Sequence, residues 1–382
     1  MKKIIPLGIA ALLSTLAAIP NAFADVKIGV VLALSGSAAS QGIPENQGLQ
    51  LGLPKEIGGQ KIELIVLDDA GDPAIATRNV QKLINDEKVD IIVGPTTTPS
   101  AIAMSQVAAG AQVPIIPLAP VSLNDSRDQW LFNVPPPPVK WIIPVVNDMK
   151  KRGVKTVGFL GFSDAWGDVS KKALETYADK MGYQIVADER FARADTSVTG
   201  QVLKLMAANP DAIFLGVSGT PGVLPNVTLK DQGYPGPIYN GNGIMNKDFL
   251  KLGGTSIEGI YGAVGAIGVG DQLPDSEPRK PVVAEFVKSY DAKYGAGKAD
   301  ALSGYGYDTG IVLSIAIEKA LAKDKPGTHE FRAALRDGMR ELNRVPGVHS
   351  IYAFSDPSWP WGVGDDAAFL VTVKDGKWML IQ

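Results

Sequence analysis

Short apolar runs recur along this chain, separated by longer segments in which apolar residues return every three or four positions. Val26 to Leu32, Lys61 to Leu67, Val89 to Val93 and Val113 to Leu118 read as strands. Between them, Gln41 to Lys55 (with Leu49, Leu51 and Leu53), Pro73 to Asn85 and Ser100 to Ala111 read as helices. Strand and helix alternate, and the strands are apolar on both faces. That combination predicts a largely parallel sheet covered by helices on each side.

Four prolines at 135–138 interrupt the pattern with an extended, stiff segment. The alternation then restarts. Helices are predicted over Trp141–Arg152, Asp168–Met181, Val198–Ala208 and Gly222–Gln232. Strands are predicted over Thr156–Leu160, Tyr183–Ala187, Ala212–Val217 and Ile238–Asn240. This is a second βα unit. The rest of the chain holds too few strands for a third. It has helices at Pro281–Tyr294, Gly304–Lys323 and His329–Arg340, then strands at Tyr352–Phe354, Ala368–Val373 and Trp378–Ile381, with an Asp375-Gly376 turn between the last two. The economical arrangement returns the helices to the first unit and the strands to the second. The chain then crosses three times, near Pro135–Pro138, Gly265–Gly270 and Val345–Val348. Several crossings make a hinge, and a hinge leaves a cleft that can close. Lobe 1 is expected to comprise 25–138 and 270–346, and lobe 2 to comprise 139–269 and 347–382.

The N-terminus reads differently. Lys2 and Lys3 precede an apolar stretch from Ile4 to Ile19, and Ala22-Phe23-Ala24 forms a small-x-small site before Asp25. Residues 1–24 are expected to be a cleaved signal peptide. No later stretch has 18 uninterrupted apolar residues, so no membrane span is expected. Loss of Lys2 and Lys3 takes the formal charge from −3 to −5. A mildly acidic chain without basic clusters argues against nucleic acid as a partner. With no cysteine there is no disulfide, and no lipid attachment at the cleavage site. An exported protein that is not a lipoprotein is retained only behind an outer membrane, which points to a periplasm.

Catalytic chemistry finds little purchase. The only histidines, His329 and His349, are expected in solvent among charged or loop residues. They leave little for a zinc site or a Cys/His pair, and neither a Walker A loop nor a G-x-G-x-x-G follows the first strand. No metal and no cofactor is expected. Gly161 to Ala165 resembles a nucleophile elbow around Ser163 but lacks its last glycine, and neither histidine follows an apolar strand. The acids of Asp68 to Asp72 lack the spacing of a calcium loop and suit the turn and cap before Pro73. The informative positions are strand ends, where open α/β sheets bind ligands. Ser35, Gly36 and Ser37 come after the first strand, and Thr96, Thr97 and Thr98 after the third. Free amides and hydroxyls at a helix start suit a carboxylate, and they suit N-capping equally well.

Taken in order, several short motifs resemble the leucine/isoleucine/valine-binding protein family, the type I periplasmic solute-binding proteins of ABC transporters. They are KIGVVLALSG (27–36), VDIIVGP (89–95), PIIP (114–117), SDAWG (163–167), GYGYD (304–308) and DGKW (375–378). The similarity runs over essentially the whole mature chain. It implies an α/β fold of two Rossmann-like lobes with parallel central sheets, joined by a three-stranded hinge. It also implies a monomeric receptor that performs no chemistry and presents its closed lobes to an ABC permease in the inner membrane.

The resemblance places the ligand-carboxylate grip at Thr98, with Thr97 a close second, and at the loop from Ala119 through Val121 to Ser122. Ser37 joins this set. It places a closing aromatic at Trp166 and a side-chain contact at Tyr305. Ser218 and Gly219 stand where amino-acid binders often carry a tyrosine, which leaves space for a wider ligand. One departure matters most. The family's amino-acid binders hold the α-ammonium with an acid on the second lobe, and the matching position here is Asn242. An amide cannot neutralise a buried ammonium, but its NH₂ can bond a carboxylate. The expected ligand is therefore a small carboxylate, with an aromatic or other apolar acid ahead of a branched-chain amino acid. A sensor serving a membrane kinase or chemoreceptor is the alternative within the same fold, and an exported hydrolase using Ser163 is the alternative outside it.

Overall fold

The computed structural model describes residues 25–381, so the signal-peptide expectation over 1–24 lies outside the described residues. β1 (Val26–Leu32) is apolar at almost every position because both of its faces are covered. Val26, Ile28, Val30 and Leu32 enter one apolar cluster, and Val31 enters another on the opposite face. Next come α1 (Ala39–Gly52), β2 (Glu56–Ile57), β3 (Gln60–Asp68), α2 (Pro73–Asn85), β4 (Ile91–Val93), α3 (Thr98–Gly110) and β5 (Ile115–Ile116). The five strands form one sheet in the order β2-β3-β1-β4-β5, parallel except for the short β2. α2 and α3 cover one face through Ala76, Val80, Leu83, Ala101 and Met104. The strand expected over Val113–Leu118 shrinks to two residues, since Pro114 and Pro117 cannot donate to a ladder.

The second unit runs α4 (Pro138–Trp141), α5 (Ile143–Lys151), β6 (Thr156–Phe162), α6 (Ala165–Met181), β7 (Gln184–Phe191), α7 (Thr199–Ala207), β8 (Ala212–Gly216), α8 (Val223–Asp231), β9 (Ile238–Asn240), α9 (Lys247–Gly253) and β10 (Tyr261–Val264). Three helices complete the set: α10 (Lys280–Tyr294), α11 (Ala301–Leu321) and α12 (His329–Arg340). β11 (Val345–Pro346), β12 (Ile351–Tyr352), β13 (Phe369–Lys374) and β14 (Lys377–Leu380) end the chain. The second sheet has the order β14-β13-β10-β9-β8-β6-β7. β6 to β10 are parallel, and β13 and β14 add an antiparallel edge. The last two strands meet at Asp375 and Gly376, both at positive φ, as a two-residue hairpin requires.

β10 and α9 carried no signal in the sequence. β10 sets two small residues between Tyr261 and Val264 and lacks an apolar run. α11 and α12 cover the free face of the first sheet, with Val312, Leu313, Ile317, Phe331 and Leu335 in its cluster. α10 sits at the junction instead. Its Val283, Phe286 and Tyr290 join the cluster of the second sheet, while the Tyr290 hydroxyl donates to Gln47 Oε1 on α1 at 2.6 Å. The strand expected at Tyr352–Phe354 does not enter the second sheet. β12 pairs with β11, and Tyr352 packs in the first lobe's core. The chain passes from β5 in the first sheet to β6 in the second, from β10 to the helices on the first sheet, and from β12 to β13 in the second sheet. Among the described residues, no helix is long and apolar enough to cross a membrane.

Candidate ligand-binding cleft

The first wall forms at the start of α3. Thr96, Thr97 and Thr98 leave β4 and are all buried. The Thr96 hydroxyl is committed: it accepts from Ala33 N–H at 3.2 Å and donates to Glu45 Oε2 at 2.7 Å. Thr97 is the N-cap residue of the thirteen-residue α3, yet its side chain does not cap. The hydroxyls of Thr97 and Thr98 are both buried without a partner. Capping therefore does not account for them. Two unpaired hydroxyls at the positive end of a helix form an anion-accepting surface.

The second wall starts at α6. Asp164 is its N-cap and accepts from the backbone N–H of Trp166 at 2.9 Å and of Gly167 at 3.3 Å. Its other oxygen accepts from Arg193 Nε at 2.6 Å. Arg193 Nη1 also donates to Ser218 Oγ at 3.0 Å, and its guanidinium lies 4.1 Å from the Phe162 ring centroid. One carboxylate thus orients both Trp166 and Arg193. Gly167 has to be glycine, because a Cβ there would lie 1.9 Å from the Phe162 carbonyl oxygen. Trp166 stacks on Trp141 with centroids 6.3 Å apart, and its indole N–H is buried without an acceptor.

Thr97, Thr98, Ala119, Trp166, Ser218, Asn242 and Tyr305, all expected from the sequence, line one pocket. Leu118, Pro120, Pro135, Pro136 and Leu302 make much of its surface apolar. Gly219 stands at the rim at φ 63°, where a Cβ would come 2.7 Å from Gln41 Nε2 of the other lobe. Thr220 N–H beside it donates to Ser40 Oγ at 3.5 Å, so the lobes touch across the mouth and the cleft is closed.

Gly219 borders the pocket without lining it, and three further expected residues are not brought to it. Ser37 is exposed on the turn before α1. Val121 packs in the core behind the wall, with its N–H bonded to Asn133 Oδ1. Ser122 donates its hydroxyl to Asp128 Oδ2 at 2.6 Å. Asn242 also differs from expectation. Its Nδ2 donates to the Tyr305 hydroxyl at 2.7 Å, across the cleft, and its Oδ1 is left buried and unpartnered. The amide therefore offers an acceptor toward the pocket rather than a donor. Burial holds the Tyr305 phenol well above its ordinary range, so it stays protonated.

Glu45, Gln41 and Arg193 also line the pocket and carry no signal in the sequence. Glu45 and Gln41 lie on a stretch of α1 without a motif, and Arg193 in a loop after β7. Glu45 is 2% exposed. Burial raises its carboxyl well above the usual range; the Thr96 hydrogen bond opposes this, and the nearby Asp300 and Asp69 add to it. The expectation that both histidines are solvated also fails for one of them. His329 is exposed, but His349 is buried and stacks on Tyr305 with centroids 3.8 Å apart. Burial pushes its imidazole down to about 3.

Residues 25–377 match the model of a family described as periplasmic binding protein. The chain is 26% identical over 334 residues to a Leu/Ile/Val-binding protein homologue of Brucella melitensis, covering 83% of this chain and 84% of the relative. Its fold is similar to the crystal structure of an extracellular ligand-binding receptor from Rhodopseudomonas palustris HaA2, with TM-score 0.90 and 40% identity over 94% of this chain and all of that one. A solute-binding protein of an ABC transporter from R. palustris, solved with benzoate, has TM-score 0.77 at 20% identity, covering 94% of this chain and 96% of that one, a likeness of fold.

Proposed function

The chain belongs to the periplasmic binding protein family, whose members are exported to the periplasm, bind small molecules without converting them and work with ABC transporter permeases, and from that premise we propose that it captures a small carboxylate by closing its two lobes. An aromatic or other apolar acid is favoured over an amino acid. The observation that carries this reading is the pair of buried, unpartnered hydroxyls on Thr97 and Thr98 at the start of α3. An unpaired buried hydroxyl is costly, and a carboxylate satisfies both. Trp166 offers an aromatic face to the rest of the ligand, and Asn242 stands where an ammonium would need an acid. The indole N–H of Trp166 and Oδ1 of Asn242 leave one donor and one acceptor for polar groups on the ligand. The proposed moving bodies are those expected from the sequence, 25–138 with 270–346 and 139–269 with 347–382, except that Tyr352, Val363 and Ala367 pack with the first body.

A second reading, an apolar amino acid, has its own support. The Glu45 carboxyl lines the same pocket and could take an ammonium. Intrinsic-fluorescence titration separates the two, because Trp166 reports occupancy. Saturable change with benzoate and none with leucine is expected. Micromolar binding of leucine with no response to benzoate would overturn the acid reading.

A further inference from the structure

We infer that Glu45 is a specificity-determining residue of the cleft that touches the ligand as a neutral carboxylic acid, donating its own proton to a ligand oxygen. This rests on the acid reading above and deepens it. Glu45 sits on α1, beside the Thr97 and Thr98 hydroxyls, and lines the pocket. It is buried, and the one hydrogen bond to its carboxyl comes from a neutral donor, the Thr96 hydroxyl at 2.7 Å. No cation lies within salt-bridge reach of it among the described residues.

The groups that face Glu45 make an ionised form costly. Asp300, just before α11, and Asp69, after β3, are acids. Tyr305 on α11 is a protonated phenol. Arg193 is the one cation lining the pocket among the described residues, and Asp164 and Ser218 already hold it. A buried carboxylate without a cation keeps its proton instead, and burial accordingly raises this carboxyl well above the usual range.

A neutral carboxyl next to an anion grip has a specific consequence. An O–H donor to a ligand carboxylate makes a short, charge-assisted hydrogen bond. An ionised Glu45 would repel the same ligand. An ammonium ligand would reverse the logic: Glu45 would lose its proton to solvent, at the cost of ionising a buried acid, and the carboxylate left behind would pair with the ammonium. The side chain thereby sorts acids from amines through its protonation state.

Infrared difference spectroscopy tests this on the whole protein. The wild type minus Glu45→Gln spectrum, ligand-free at pH 7, should contain the carbonyl stretch of a protonated carboxyl. Saturation with benzoate should keep that band and move it. Thr96→Val, which removes the hydroxyl donor but not the carboxyl, should also move it and assigns the band independently if Glu45→Gln folds poorly. Absence of the band at pH 7, or a band that bound benzoate leaves in place, overturns the inference. If benzoate does not bind at all, the acid reading fails by itself, and leucine then judges Glu45. Leucine, an ammonium, should then replace the band by that of a carboxylate, which upholds the sorting role, whereas a band that bound leucine leaves in place overturns it.

Discussion

At the scale of single residues, the cleft is a set of groups left short of partners. Thr97, Thr98, Trp166, Gln41 and Asn242 each carry a buried polar atom without a hydrogen bond. Folded proteins seldom tolerate that, unless a ligand completes the set. Thr98→Val and Thr97→Val should each weaken benzoate binding on the order of tenfold, the value of one hydrogen bond to a charged group at about 1.5 kcal/mol. Isothermal titration measures this, and an unchanged affinity in both would remove the hydroxyls from the grip. Asn242→Asp puts a carboxylate where the amide stands. It should weaken benzoate and strengthen leucine, so the ratio of the two dissociation constants is the readout. Thr97, Thr98 and Trp166 were legible because strand-end hydroxyls and the SDAWG motif mark them. Glu45 and Arg193 were not, since an acid on a helix and a base in a loop read as solvated surface until packing buries them.

At the scale of elements, the contact between α1 and α11 places the floor of the cleft. Gly48-x₃-Gly52 on α1 faces Gly306-x₃-Gly310 on α11. A Cβ on Gly48 would lie 1.8 Å from the Ser303 carbonyl oxygen, and one on Gly306 would lie 1.9 Å from that of Glu45. Such backbone contact admits no side chain. Gly306→Ala must push the helices apart at a cost of about 1–3 kcal/mol. A lowered unfolding midpoint should accompany weaker ligand binding, because Glu45 and Tyr305 ride on the two helices. Stability lost with affinity intact would separate the contact from the site. The alternation of strands and helices was legible from apolar periodicity. The glycine pairs were visible as letters, but nothing in the sequence says that helices more than 250 positions apart meet.

At the scale of the whole molecule, the segment joining β11 to β12 is tied to the cleft. The Asp308 carboxylate on α11 accepts from the N–H groups of Val348 and His349 at 2.6 and 3.0 Å, and from the Tyr352 hydroxyl at 2.7 Å. The His349 ring stacks on Tyr305, which lines the pocket. Burial raises Asp308 to about 7, so the folded protein holds a proton that the unfolded chain releases near 3.8. This term favours folding fully below pH 3.8 and is lost as pH rises through 7. His349, pushed down to about 3, acts oppositely: its stabilisation is present above 6.5 and is lost as pH falls through 3. Over the shared window the two slopes offset each other. Asp308→Asn removes one of them. Its stability deficit relative to the wild type should shrink by about 1.4 kcal/mol per pH unit from about pH 4 to pH 7. Denaturant melts across that range measure the deficit, and a constant deficit would mean that Asp308 titrates normally.

Local periodicity by itself determined two runs of alternating strands and helices, which form the two large sheets, because apolar spacing dictates which faces must be buried. Short motifs determined the family, and with it the expectation of a receptor rather than an enzyme. Tertiary structure decided what no local pattern encodes. It put α10 at the junction, paired β12 with β11, buried His349 against Tyr305, and turned Asn242 to offer an oxygen rather than an N–H to the cleft. It also brought Glu45 beside the threonines with no cation to meet it. Burial and partner supply are properties of packing between distant segments, and they set whether a carboxyl in a binding site is an anion or an acid.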